Sequence, residues 1–175
     1  DMRTIAPHVD AVSFDLVGDE ETIREVYGLD KTPADYMRTY AMLRRHAPVV
    51  PHITIGLRGG ELGHERRAMD LLAEAGAEAL VFIVFMPTPN TGYARRAPPQ
   101  ADEVALILAE ARQRFPDIPL QLGCMRPRRD YRARLDPLAV RAGANVVVSP
   151  SREGRAAAEA LGLEVIETRE CCVFD

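Results

Sequence analysis

The chain has 175 residues, 47% hydrophobic and 27% charged, with a formal net charge of −4. That size suits one domain, 1–175, around one core, and the acidic balance excludes the basic stripe of a nucleic-acid binder. No apolar run nears the roughly 20 residues that cross a bilayer. The opening Asp1-Met2-Arg3-Thr4 does not begin a signal peptide. The chain therefore reads as soluble and cytoplasmic, with neither nucleic acid nor membrane as a partner.

Ala11 to Leu16 reads as a buried strand, and Glu20 to Tyr27 as a short helix that Asp19 caps and Gly28 ends. Thr32-Pro33-Ala34-Asp35 starts the next helix, with Thr as N-cap, Pro in the first turn and an acid behind it. It runs to about Arg45. Val49 to Leu57 is a strand, followed by Gly59-Gly60 and a helix from about His64 to Ala75. The continuous apolar run from Ala79 to Phe85 is a strand buried on both faces. A long Pro-rich loop from Met86 to Pro99 leads into a helix over Ala101 to Phe115. Leu120 to Gly123 is a strand. The helix from Tyr131 to Arg141 is expected to break locally at Pro137. Asn145 to Ser149 is a strand, Ser151 caps a helix through Leu161, and Leu163 to Thr168 is the last strand.

Strands alternating with helices predict βαβ units. The fold class is α/β, a partial TIM-like (βα) barrel with a mostly parallel sheet of about five to six strands. A doubly wound domain is the alternative. The chain is shorter than the roughly 250 residues of a full barrel, so it is expected to be the C-terminal part of one. Either architecture gathers chemistry at the carboxyl ends of the strands.

Those ends carry the unusual residues. Asp15 lies within an apolar strand, where an unpaired carboxylate is costly. His52 and Thr54 share one strand face, with Gly56, Gly59 and Gly60 behind them, where a ligand can approach backbone closely. A lone strand histidine also reads as a satisfied core residue. Met86-Pro87-Thr88-Pro89 is a stiff loop. Cys124 follows a strand amid Arg126, Arg128, Arg129, Arg132 and Arg134. That setting suits a thiolate nucleophile or metal ligand, or else Cys124 is a buried small hydrophobe. Arg126 and Arg132 are candidates for an anionic substrate. The three cysteines are Cys124, Cys171 and Cys172; no CxxC spacing supports a zinc finger.

Asp10 to Lys31, Pro51 to Leu57, Met86-Pro87-Thr88-Pro89, Leu122 to Pro127 and Glu170-Cys171-Cys172 together resemble the biotin-synthase-like radical S-adenosylmethionine proteins. The resemblance spans the whole chain. It implies S-adenosylmethionine as cofactor and sulfur insertion at an unactivated C–H bond. The group includes one component of the archaeal-type two-component lipoyl synthase. The implied partners are therefore a second lipoyl synthase component or an N-terminal half, with a lipoyl-domain or carrier protein as substrate. By position, Asp15 falls on the strand that helps hold the ribose. Ile55, Gly56 and Leu57 fall where adenine packs, and Met86 and Pro87 in the stretch that closes over the nucleoside. Cys124, Cys171 and Cys172 become ligands of an auxiliary 4Fe–4S cluster. The family's CxxxCxxC motif for the radical-generating cluster is absent from this sequence.

Two rivals stand beside that reading. One is a catalytically silent barrel subunit that binds S-adenosylmethionine or a partner. The other is an unrelated α/β-barrel enzyme in which His52 and Asp15 do acid–base work. Lys31 is the sole lysine and lies in a helix-start loop, which disfavours Schiff-base chemistry.

Overall fold

The structure is a computed structural model that describes residues 2–169 and residue 173. It opens with α1 (Met2–Ile5) and one 3-10 turn (Ala6–His8). There follow β1 (Val12–Asp15), α2 (Glu20–Tyr27), α3 (Pro33–Leu43), β2 (Val49–Ile55), α4 (Glu65–Glu74) and β3 (Leu80–Val84). The series ends with α5 (Ala101–Arg114), β4 (Leu120–Leu122), α6 (Asp130–Arg141), β5 (Val146–Val147) and α7 (Arg152–Ala160).

Helix starts follow local chemistry. Asp19 accepts from the backbone of Thr22 at 2.7 Å and caps α2. Thr32 and Asp35 form a reciprocal capping box on α3. Ser151 accepts from Gly154 and caps α7. The αL residues Gly28 and Gly162 end α2 and α7.

The five strands form one all-parallel sheet in the order β1-β2-β3-β4-β5. A doubly wound sheet reverses its strand order partway along; this one does not, which overturns that alternative. The arrangement is that of part of a (βα) barrel. Register divides the sheet into two faces. Ile53, Phe82, Leu122 and Val147 stand side by side and meet Met69, Leu72, Val104, Ile107, Leu108, Leu135 and Ala139 from the helices. Full burial of a side chain such as Phe82 contributes about 1.5–3 kcal/mol. The opposite face carries the row Asp15, His52, Val81, Gln121 and Val146.

Two expectations need correction. Leu163 to Thr168 is not a strand and pairs with nothing in the sheet. A strand requires a paired neighbour, and β5 is paired for only Val146–Val147. Helix α6 also runs unbroken through Pro137. Buried Leu135, Asp136 and Ala139 on either side of the proline hold it across the missing backbone bond.

Gly18 marks the closest approach of β1's exit to α4. A Cβ there would lie 2.1 Å from the carbonyl oxygen of His64 and 2.6 Å from the nitrogen of Ala68. Gly28, at φ 64°, has nothing within 4 Å of that position. We expect Gly18→Ala to cost more than about 2 kcal/mol and Gly28→Ala about 1 kcal/mol from backbone strain alone. Urea unfolding of the two variants checks both values; equal losses would remove the packing argument.

Candidate functional site

The parallel strands deliver their carboxyl ends to one end of the sheet, and most of the predicted residues arrive there. Asp15 closes β1, but its surroundings differ from those expected. β1 is an edge strand, so Ser13 and Asp15 alternate into solvent and are exposed. Asp15 thus escapes the desolvation that made it look functional. Its charge still reaches Tyr27, Tyr36 and His52. Burial first, then Asp15, pushes Tyr27 up to about 12 and Tyr36 in the same direction.

His52 stands beside Asp15 in register and is buried. Its Nδ1 lies 3.0 Å from the carbonyl oxygen of Val50. A carbonyl only accepts, so the ring proton sits on Nδ1. Ser13 Oγ is 3.1 Å from Nδ1 and 3.4 Å from Nε2. An oxygen nearly equidistant from both ring nitrogens is in line with neither, so the pair is not a serine nucleophile with its base. Burial lowers the His52 pKa, while the Val50 bond and Asp15 oppose the shift.

The other strand ends behave differently. Ile55 is fully buried in the core and Leu57 half-buried. Gly56, Gly59 and Gly60 all have positive φ, and the close approach they permit is to the chain itself. A Cβ on Gly56 would meet Pro99 at 2.9 Å, and one on Gly60 the carbonyl oxygen of Ala97 at 2.0 Å. Tyr93 packs edge-on to Phe85, and its hydroxyl donates to Glu25 at 2.5 Å. Burial and Glu25 together hold the Tyr93 hydroxyl up at about 12. Arg58 pairs with Glu21, Glu25 and Glu61. Past this anchored base, Met86 is half-buried and Pro87 exposed.

The loop after β4 holds Cys124, which is exposed, so the buried-hydrophobe reading fails. Its backbone is clamped. Arg132 Nη2 donates to the Cys124 carbonyl at 2.9 Å and Nη1 to Ser149 at 3.2 Å. Burial, then the like charge of Arg126, lowers the Arg132 pKa. Among the described residues Arg132 Nε is a buried donor without a partner.

Arg126 is fully buried. Its Nε and Nη2 bind the two oxygens of Asp136 at 2.9 and 3.1 Å. Its Nη1 donates to Gly123 at 2.7 Å and Val148 at 2.9 Å, and Nη2 reaches Ser149 at 3.5 Å. A guanidinium has five N–H donors, and all five are spent within the chain. Arg126 is a structural clamp with no donor left for a substrate.

Two functional-looking sets escaped the sequence reading. His64 Nδ1 accepts from Gly18 at 3.3 Å and Nε2 donates to Thr54 at 3.0 Å. The buried Glu65 carboxylate accepts from Gly56 at 2.8 Å and Gly63 at 2.6 Å. Asp136, besides holding Arg126, accepts from Ser151 at 2.7 Å. The signal was periodicity: Glu65 falls on the buried stripe of Ala68, Met69 and Leu72, and Asp136 sits between buried Leu135 and Ala139.

Cys171 and Cys172 lie outside the described residues. Among the described residues no group of three or more His, Cys, Asp or Glu could hold a metal ion, so Cys124 is the single thiol that this part of the chain brings to a cluster. No described helix is long and apolar enough to cross a membrane. Neither family models nor curated proteins match this chain.

Two predictions follow from this geometry. Arg126→Met or Asp136→Leu alone should cost about 3–5 kcal/mol, because each strands a buried charge, and the double variant should cost less than the sum. Denaturant unfolding of the cycle tests this; strict additivity would refute the coupling. His52 has a folded pKa below its ordinary value of about 6.5, so the unfolded state binds more protons as the pH falls. The chain should therefore lose stability on acidification below about pH 6.5, and His52→Gln should flatten that part of the profile. Unfolding midpoints measured across this range decide it.

Proposed function

We propose that this chain is the C-terminal part of a radical S-adenosylmethionine enzyme barrel, which binds that cofactor at the carboxyl ends of β1 to β3. The reading draws its support from one observation above all: five parallel strands follow one another in chain order, as in a (βα) barrel, and bring Asp15, His52 and Thr54 to that end. The exposed Asp15 carboxylate accepts hydrogen bonds, which fits the hydroxyls of a ribose or an amino group. Gly56 and Leu57 follow β2 and Met86 and Pro87 follow β3, flanking the same end. Bound there, S-adenosylmethionine would supply a carbon radical able to remove hydrogen from an unactivated carbon, once one electron from the radical-generating 4Fe–4S cluster cleaves its C–S bond and methionine leaves. In lipoyl formation that step precedes sulfur insertion.

These 175 residues contain no CxxxCxxC, so the reading assigns the radical-generating 4Fe–4S cluster to residues other than these, in an N-terminal half or a second lipoyl synthase component. It assigns Cys124, with Cys171 and Cys172, to an auxiliary cluster, and a lipoyl-domain or carrier protein to the substrate role. The compartment that fits is the cytoplasm, where thiols stay reduced.

A second reading rests on His52. Its proton is fixed on Nδ1 by Val50 and its charged form is disfavoured by burial, as a general base near neutral pH requires. It would make the chain an acid–base barrel enzyme.

Calorimetric titration of the anaerobically purified chain with S-adenosylmethionine separates the readings. We expect saturable binding that Asp15→Asn weakens by about tenfold, the loss of one charge-assisted hydrogen bond. Iron retained by the wild type and lost in Cys124→Ala would support the auxiliary cluster, whereas binding without iron would favour a silent subunit. Absence of binding sinks the cofactor reading and leaves the His52 alternative.

A further inference from the structure

Among the described residues, the outer edge of the sheet at β5 has no neighbouring strand. Residues along a strand alternate the direction of their backbone groups, so with Val148 donating inward to Leu122, Val147 turns its N–H and C=O outward. Beside this edge lies a cavity of about 690 Å³, walled by Val146, Val147 and Val148 on one side and Val165 and Ile166 on the other. The far wall is therefore the chain's own segment 163–169. It turns back after α7 through Gly162, with Leu163 donating to the Ala158 carbonyl at 3.0 Å. An ion pair of Arg155 with Glu167 holds it alongside.

That segment is costly where it stands. Leu163 is 51%, Val165 43% and Ile166 76% exposed. It has the composition of a strand, Leu-Glu-Val-Ile-Glu-Thr, with β-branched residues at its centre. Its position in the chain is also that of a strand. β5, α7 and residues 163–168 repeat the strand–helix–strand order of the preceding units, and a right-handed crossover would bring the segment in parallel beside β5.

We propose that the outer edge of β5 is a strand-docking site whose occupant is residues 163–168 of the same chain, which close across the cavity as a sixth parallel strand. Closure brings the segment to the roughly 4.8 Å spacing of paired strands. It pairs Val147's outward backbone groups, and it turns Val165 and Ile166 to opposite faces of the sheet, where one of them enters the helix-covered core beside the Val147 side chain. The inference is independent of any cofactor.

Amide hydrogen exchange on the full-length protein tests it, with Val165→Asp and Ile166→Asp as companion variants. We expect residues 164–168 to exchange at least about tenfold more slowly than the exposed loop 88–91. One of the two variants should lower the unfolding midpoint by about 5 °C or more, because closure buries its carboxylate. Exchange as fast as in the loop overturns the proposal, as does an unchanged midpoint in both variants. Protection found only in a dimeric fraction on light scattering also overturns it, since the strand would then come from a second copy.

Discussion

Strands that follow one another in parallel must be joined by crossovers of one hand, and that single constraint arranges this molecule. Each crossover returns to the next position along the sheet, so the helices gather against the face that carries Ile53, Phe82 and Leu122. The other face is left to Asp15, His52 and Gln121, and every strand end points the same way. The division between a packed side and a side able to meet a ligand is thus a consequence of chirality and order, before any particular residue is considered.

Within that frame, polar groups that look chemical divide into those spent on the fold and those with capacity left. Arg126, Glu65 and His64 are spent. Each is buried, and each ties a strand-end loop to a neighbouring helix through backbone groups that would otherwise be unpaired. Around Arg126 the expense is visible in the backbone as well. Ser149 takes a left-handed φ of 48° without being glycine, and its carbonyl accepts from both Arg126 and Arg132. Asp15 and Cys124 are different, for both are exposed on frameworks that the buried groups hold still. A site built this way keeps its reactive atoms outside and its rigidity inside.

The caps at Asp19, Thr32 and Ser151 were legible in the sequence because each depends on residues within one turn. The alternation of strands and helices was legible for the same reason. What escaped depends on distant neighbours. Asp15 was read as buried from the apolar residues around it, yet its exposure follows from β1 being an edge, which no local pattern encodes. Arg126 was one of five clustered arginines, and only the fold shows that Asp136, a turn into the next helix, lies opposite it. The glycines after β2 were read as places where a ligand comes close to the backbone, but the chain itself fills that space. The approaching groups are the Pro99 ring and the Ala97 carbonyl, which arrive from another loop altogether.

The loop after β3 is fastened at one end only. From Tyr93 onward it is fixed by Phe85, Glu25, Gly59 and Gly60, whereas Thr88 to Gly92 are exposed and bonded chiefly to one another. Length there costs little, since added residues raise the closure entropy only logarithmically. The tip is therefore where this scaffold can accept new chain, such as a peptide tag or a reporter domain, while the strand ends behind it keep their places.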